Sequence, residues 1–331
     1  MDVLNLAIAS IDFLTLREKI LLRKNIDTLE HLAIMSIGEL SSIIGRAVRS
    51  EWKGKWTAAL AERSLKIMDA LGIACLVYGE KDYPPLLAET FDPPYVLFYR
   101  GNLSVLKDPC LSVVGTRRVC QESAEAAFVF AKQACKAGWT VVSGLADGID
   151  SFAHRGAVSL LDEGELGLAR TVAVLPCGID TVVPGANKRL AASILKDGGC
   201  IVSEYAPGVP AEKWRFVQRN RIIAALCQGT LVVQAPVNSG ALITADFALE
   251  YGREVVFHKS CFCPDAVRIS EAAKKSLLSR GGGASPAKTA RTCASYVEDG
   301  ACVVQNFEEF VKVLGSEPGS NTINKEQLEL F

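Results

Sequence analysis

The strongest constraint on this chain is a repeated grammar that begins at Leu111. The apolar run Leu111–Val114 ends in Gly115-Thr116-Arg117, and the run Trp139–Val142 ends in Ser143-Gly144. Thr171–Leu175, Cys200–Val202, Thr230–Val233 and Glu254–Phe257 are runs of the same kind. Between them lie helix-like segments at about Glu122–Ala137, Ser151–Leu160, Asn187–Lys196, Val217–Leu226 and Ala241–Tyr251. Strands that are apolar on both faces need helices on both sides of the sheet. The predicted fold class is therefore α/β: a Rossmann-like, doubly wound, mostly parallel sheet. In such a sheet the strand carboxyl ends face a crevice, and helix N-termini there offer free N–H groups to an anion.

The flanks divide as follows. Residues 1–74 carry Leu and Ile at helical spacing, with Ser36 and Glu39 placed as a capping box, and form a small helical domain. Short helices broken by glycine suit a structural or interaction bundle of sterile-alpha-motif type, and they also suit a helix-hairpin-helix module. Residues 75–110 form an extension that packs on the sheet; Pro84-Pro85 and Pro93-Pro94 forbid regular helix there, and Val96–Tyr99 reads as an edge strand. Residues 111–315 form the main domain, with a variable insertion at 259–293 and a glycine-rich loop near Gly281-Gly282-Gly283. Residues 316–331 read as a disordered polar tail.

Composition narrows the function. Thirty-six basic and 37 acidic side chains leave a net charge of -1, so a polyanion would be held by a local patch rather than by the global field. The 11 cysteines are odd in number and scattered through strands and helices, the pattern of reduced thiols. No signal peptide and no membrane-spanning run is evident, which points to a cytoplasmic protein without a membrane role. With three histidines, a serine triad or a histidine-based metal site is a poor fit, and His258 with Cys261 and Cys263 lacks a fourth ligand. No Walker A sequence is present, and no G-x-G-x-x-G follows the first strand. The expectation is a protein with no catalytic residues, no metal and no cofactor.

Four stretches would meet at the crevice. Gly115 permits close backbone approach and Arg117 can grip a phosphate, unless it is only a surface arginine after a tight turn. Ser143, Gly144 and Gly148 form a loop that exposes N–H groups, with Asp150 as helix cap; His154, one turn further, reads as a packing residue. Lys188 follows a third turn, where Asn187 would cap the helix. Lys213-Trp214-Arg215-Phe216-Val217-Gln218-Arg219-Asn220-Arg221 holds four cations and two aromatics, a composition that suits single-stranded nucleic acid. The alternative is a solvated helix start with Trp214 and Phe216 in the core.

The ordered blocks DYPPLLAETFDPPYVLFYRG, SVVGTRRV, VVSGLADGIDSFAHRGAV, AVLPCGIDTVVPGANKRL, IVSEYAPG, FVQRNRIIAAL and SGALITADFALEYGREV resemble those of the DNA-processing protein A (DprA/Smf) family. The resemblance covers about Leu76 to Tyr251 and resumes near Ala294–Leu314. It implies a Rossmann-like domain that binds single-stranded DNA, commonly as a homodimer. It implies protection of incoming strands in natural transformation and help in loading the RecA recombinase, without catalysis. It places the phosphate-contacting arginine at Arg117 and the lysine and stacking aromatic at Lys213 and Phe216; Arg219, Asn220 and Arg221 match the R-N-R block. A nucleotide-handling hydrolase on the same fold is the alternative, and an adaptor that only recruits recombinase is a third reading. Separately, the terminal Gln327-Leu328-Glu329-Leu330-Phe331 is similar to the peptides that dock on the DNA sliding clamp, where Gln327, Leu328, Leu330 and Phe331 would fill apolar pockets.

Overall fold

The computed structural model describes residues 2–164, 170–279 and 291–315. Five helices come first: α1 (Val3–Ala9), α2 (Leu16–Asn25), α3 (Leu29–Ile34), α4 (Ile37–Ile44) and α5 (Gly54–Leu71). The Glu39 N–H donates to Ser36 Oγ and the Ser36 N–H donates to the Glu39 carboxylate, so the expected capping box starts α4. Thr15 and Glu18 form a second box on α2. Leu4, Leu22, Leu40 and Met68 of these helices share one buried cluster with Phe98, Ala173 and Ile201 of the sheet. The helical module thus covers part of a sheet face.

The rest of the chain alternates: β1 (Ala74–Val77), α6 (Pro85–Ala88), β2 (Val96–Gly101), β3 (Cys110–Gly115), α7 (Gln121–Lys136), β4 (Thr140–Ser143), α8 (Ile149–Asp162), β5 (Thr171–Val174), α9 (Lys188–Lys196), β6 (Cys200–Ser203), α10 (Lys213–Ala225), β7 (Gly229–Gln234), α11 (Gly240–Glu250), β8 (Glu254–His258), α12 (Pro264–Ser279), α13 (Cys293–Glu298), β9 (Cys302–Val304) and α14 (Phe307–Gly315). The strands form one sheet in the order β1-β2-β6-β5-β4-β3-β7-β8-β9. All neighbours from β6 to β9 are parallel, and β1 and β2 are antiparallel additions. This is the α/β, doubly wound, mostly parallel sheet expected from the apolar runs.

Side-chain alternation assigns the two faces. Val114, Val142, Val172 and Val232 point to one face with Ile222 of α10 and Ala245 of α11. Leu111, Val113, Val141 and Leu231 point to the other with Phe130 of α7, Ala157 of α8 and Phe310 of α14.

Two expectations need correction. Val96–Tyr99 is not an edge: β2 lies between β1 and β6, with Phe98 opposite Cys75 on one side and Ser203 on the other. The flanking prolines read as an edge signal, yet β1 pairs along the side of β2 away from β6, and the helical module packs on Val96 and Phe98. The 259–293 stretch, read as a variable insertion with no element assigned, carries the sixteen-residue α12. Its apolar stripe is short and shallow: Ala266 is buried, and Ile269, Ala273 and Leu277 are only half-buried. Most of the glycine-rich loop and the terminal Gln327, Leu328, Leu330 and Phe331 lie outside the described residues.

No helix among the described residues is long and apolar enough to cross a membrane. His258, Cys261 and Cys263 do not converge on a common point. His258 pairs with Ser260 Oγ and the Gln305 carbonyl, Cys261 donates to the Val232 carbonyl, and Cys263 Sγ lies 3.7 Å from Cys120 Sγ.

Candidate nucleic-acid interface

After β3 the chain crosses to α7 on one face; after β7 it crosses to α11 on the other. Adjacent strands whose connections diverge leave a crevice at their carboxyl ends. A cavity of about 550 Å³ sits there, lined by the turn after β3, the loop after β4, the front of α10 and the loop after β7.

The β3 turn forms its mouth. Register slips by one residue between Val114 and Gly115, and the Thr116 N–H donates to the Gln234 carbonyl at 2.7 Å. The bulge re-aims the chain after Thr116. A Cβ on Gly115 would lie 2.3 Å from Ile149 Cγ1, so only glycine lets α8 start this close. Arg117 then projects into solvent. Its guanidinium carbon lies 4.9 Å from the centroid of the Phe216 ring. Among the described residues Arg117 has no carboxylate partner.

Phe216 stands on the first turn of α10, which begins at Lys213 rather than at the predicted Val217. Lys213 and Phe216 are three residues apart and share one helix face. Lys213 is exposed and Phe216 half-buried. Opposite them α11 begins, with Ser239 Oγ accepting the Ala241 N–H at 3.3 Å. Its N-terminal dipole end therefore faces the same cavity. Asn220 closes the back, donating from Nδ2 to the Gly240 carbonyl at 3.1 Å.

The floor is built differently. Arg219 is buried; its Nη1 donates to the Gly144 carbonyl at 2.6 Å and to the Val174 carbonyl. Burial pulls its pKa down to about 10, against the opposing charge of Asp150. Asp150 is also buried, and its carboxylate accepts the Gly144 N–H at 3.1 Å. Desolvation pushes that carboxyl up, while Arg219 and the N–H donors hold it down. This floor supports the turn above it and leaves its charges little access to a ligand.

The predicted site residues thus fall into two groups. Gly115, Arg117, Lys213, Phe216, Arg219 and Asn220 line one cavity, with Arg219 turned down into the floor. The others do not line it. Ser143 is buried and its hydroxyl donates to the Val113 carbonyl at 2.7 Å. Gly144 has its N–H on Asp150 and its carbonyl on Arg219, so the loop expected to expose donors keeps them for itself. Gly148 is the buried N-cap of α8, the role predicted for Asp150. Lys188 is exposed at the start of α9, where Asn187 holds the expected N-cap position but makes no side-chain cap bond, its Nδ2 donating to the Leu145 carbonyl instead. Arg221 points away to a buried ion pair, 2.5 Å from Glu204 and 3.3 Å from Asp92.

The sequence reading missed the loop after β7, where Asn238 (φ 61°) and Ser239 line the cavity. Its signal was present: Pro236-Val237-Asn238-Ser239-Gly240 follows a strand and opens a helix, as the other turns do.

Comparison with known proteins agrees with this architecture. The family described as DNA recombination-mediator protein A matches residues 74–315. Protein Smf of Borreliella burgdorferi is 30% identical over 267 residues, 80% of this chain and 82% of that protein. DNA processing protein DprA of Streptococcus pneumoniae is 43% identical over 173 residues, 52% of this chain and 58% of that one. The X-ray structure of the S. pneumoniae protein superposes with a TM-score of 0.66 at 27% identity, covering 94% of this chain and 98% of that chain. DNA processing protein A from Helicobacter pylori, whose structure concerns its single-stranded DNA binding mode, shares the fold at 23% identity and a TM-score of 0.54, covering 73% and 95%. With the profile spanning the whole sheet and the crevice, the chain belongs to the DNA recombination-mediator protein A family.

Proposed function

We propose that this protein binds single-stranded DNA across the mouth of the crevice. One observation carries the reading: the Arg117 guanidinium sits over the Phe216 ring, with Lys213 one helical turn from that ring. Arg117 and Lys213 meet backbone phosphates, the α11 N-terminus adds a positive dipole end, and a base stacks against Phe216. None of these contacts reads a base edge, so binding is sequence-tolerant. Arg219 and Arg221 act as supports, because their donors are spent inside the protein.

The finer reading follows family membership. The protein protects single strands and assists RecA loading in natural transformation or recombination, acts as a homodimer in the cytoplasm, and performs no catalysis. The terminal Gln327, Leu328, Leu330 and Phe331 dock it on the sliding clamp.

The test is a fluorescence-anisotropy titration of a labelled single-stranded oligonucleotide, with a free mononucleotide as competitor. Tight oligonucleotide binding that the mononucleotide does not displace supports the reading. Preferential mononucleotide binding or turnover would replace it with the nucleotide-handling enzyme. RecA filament growth on strands coated with single-strand-binding protein tests loading. Clamp pull-down with and without residues 327–331 tests docking.

A further inference from the structure

Trp214 is the second aromatic of the α10 start, and the crevice does not use it. Trp214 is 52% exposed. An indole at such exposure is ordinarily mobile, yet this one is held on two sides. The Arg215 guanidinium lies 4.8 Å from the Trp214 ring centroid and 5.1 Å from that of Tyr205, so the arginine contacts both rings. Arg215 is itself fixed: its side chain is 11% exposed, and Nη1 donates to the Pro210 carbonyl at 2.5 Å. The indole N–H donates to the Glu212 carboxylate. Glu212 in turn lies 3.8 Å from Arg215, which offsets its charge. The result is a rigid ladder, Tyr205–Arg215–Trp214, that ends in an exposed ring.

Helical phase relates this ring to the crevice. At about 100° per residue, Lys213 falls between Phe216 on the crevice side and Trp214 on the outer side. A strand leaving Phe216 over the end of α10 passes the Lys213 ammonium before reaching the indole. Of the exposed large apolar residues, only Val217 joins Trp214 on this helix. That area is too small for a stable protein interface but ample for one base.

We propose that Trp214 is a second base-stacking platform for single-stranded nucleic acid, placed outside the crevice and reached past Lys213. The proposal rests on the reading of the crevice as a single-strand site. Arg215 is a positioning residue: it fixes the ring so that little side-chain freedom is lost when a base arrives.

The experiment uses the full chain and two oligothymidylates, one of about 4 and one of about 16 nucleotides, which bracket common single-strand site sizes. Trp214→Ala is expected to bind the short strand like the wild type and the long strand at least about fivefold more weakly. Trp214→Phe is expected to keep the long-strand affinity but lose the quenching of tryptophan fluorescence by that strand. If Trp214→Ala binds both lengths like the wild type, the platform is rejected while the crevice stands. If Trp214→Ala weakens both lengths equally, Trp214 supports the crevice instead, and the separate platform is likewise rejected. If the wild type binds neither strand, the crevice reading fails first and takes this proposal with it.

Discussion

After β3 the chain turns through Gly115-Thr116-Arg117; after β4 it turns through Ser143-Gly144-Leu145-Ala146. Both turns follow a buried parallel strand and both lead to a helix on the same face of the sheet. The first sends a cation into solvent over an aromatic ring. The second ties its hydroxyl to Val113, its N–H to Asp150 and its carbonyl to Arg219. A Cβ on Gly144 would lie 2.4 Å from the Arg219 guanidinium, so the glycine there admits an arginine of the protein rather than a ligand. Two turns with the same sequence grammar thus differ in kind: one leaves its cation open to solvent and the other anchors the helix that carries Phe216.

The largest effect should come from breaking the anchored turn. Arg219→Met leaves Asp150 buried without its opposing charge and the Gly144 and Val174 carbonyls without a donor. The expected loss of stability is about 3–5 kcal/mol, read from urea unfolding. Lys213→Met, on the open side, should change stability by less than about 0.5 kcal/mol. Equal losses in the two variants would erase the distinction between anchor and mouth.

Next in size is the open side itself. Phe216→Ala should weaken oligonucleotide binding by on the order of 1–3 kcal/mol with the unfolding midpoint little changed. Wild-type affinity in that variant would remove the ring from the site.

A graded effect, small near neutral pH, probes the anchored side. His154 lies buried on α8, within hydrogen-bond reach (2.8 Å) of Thr171 Oγ1. Burial, reinforced by the nearby Arg219 charge, lowers its pKa from 6.5 to about 3. Below pH 6.5 the unfolded chain therefore binds a proton that the folded chain refuses. The sign follows: stability falls as pH drops from about 6.5 towards 3, by up to about 1.4 kcal/mol per unit from this group. His154→Gln should flatten that slope in acid unfolding curves. An unchanged slope would assign the acid sensitivity to other groups.

Much of this was legible from residues alone. The six core strands follow from runs such as Thr171–Leu175, because a strand covered on both faces must be apolar throughout. Arg117 was singled out by its turn, and Lys213 and Phe216 by the family resemblance; the three line one cavity. The errors have physical causes. Arg219 and Arg221 look like a cationic face beside Lys213, yet they open a stretch in which every residue through Ala225 is buried. The clue was the following Ile222-Ile223-Ala224-Ala225, which leaves that half of α10 without a polar face. The donor-rich loop after β4 misled because sequence shows that N–H groups are present but not who accepts them. β2 was taken for an edge because its second pairing partner, β1, is a strand of only four residues that was not recognised in the sequence.

The central claim is that the open turn after β3 holds a DNA phosphate, and salt dependence tests it most directly. Oligonucleotide affinity should be titrated across ionic strength for the wild type and for Arg117→Ala. The account predicts weaker binding in the variant and a log–log salt slope shallower by about 0.7, the release expected for one lost phosphate contact on single-stranded DNA. An Arg117→Ala protein with the affinity and slope of the wild type would contradict it.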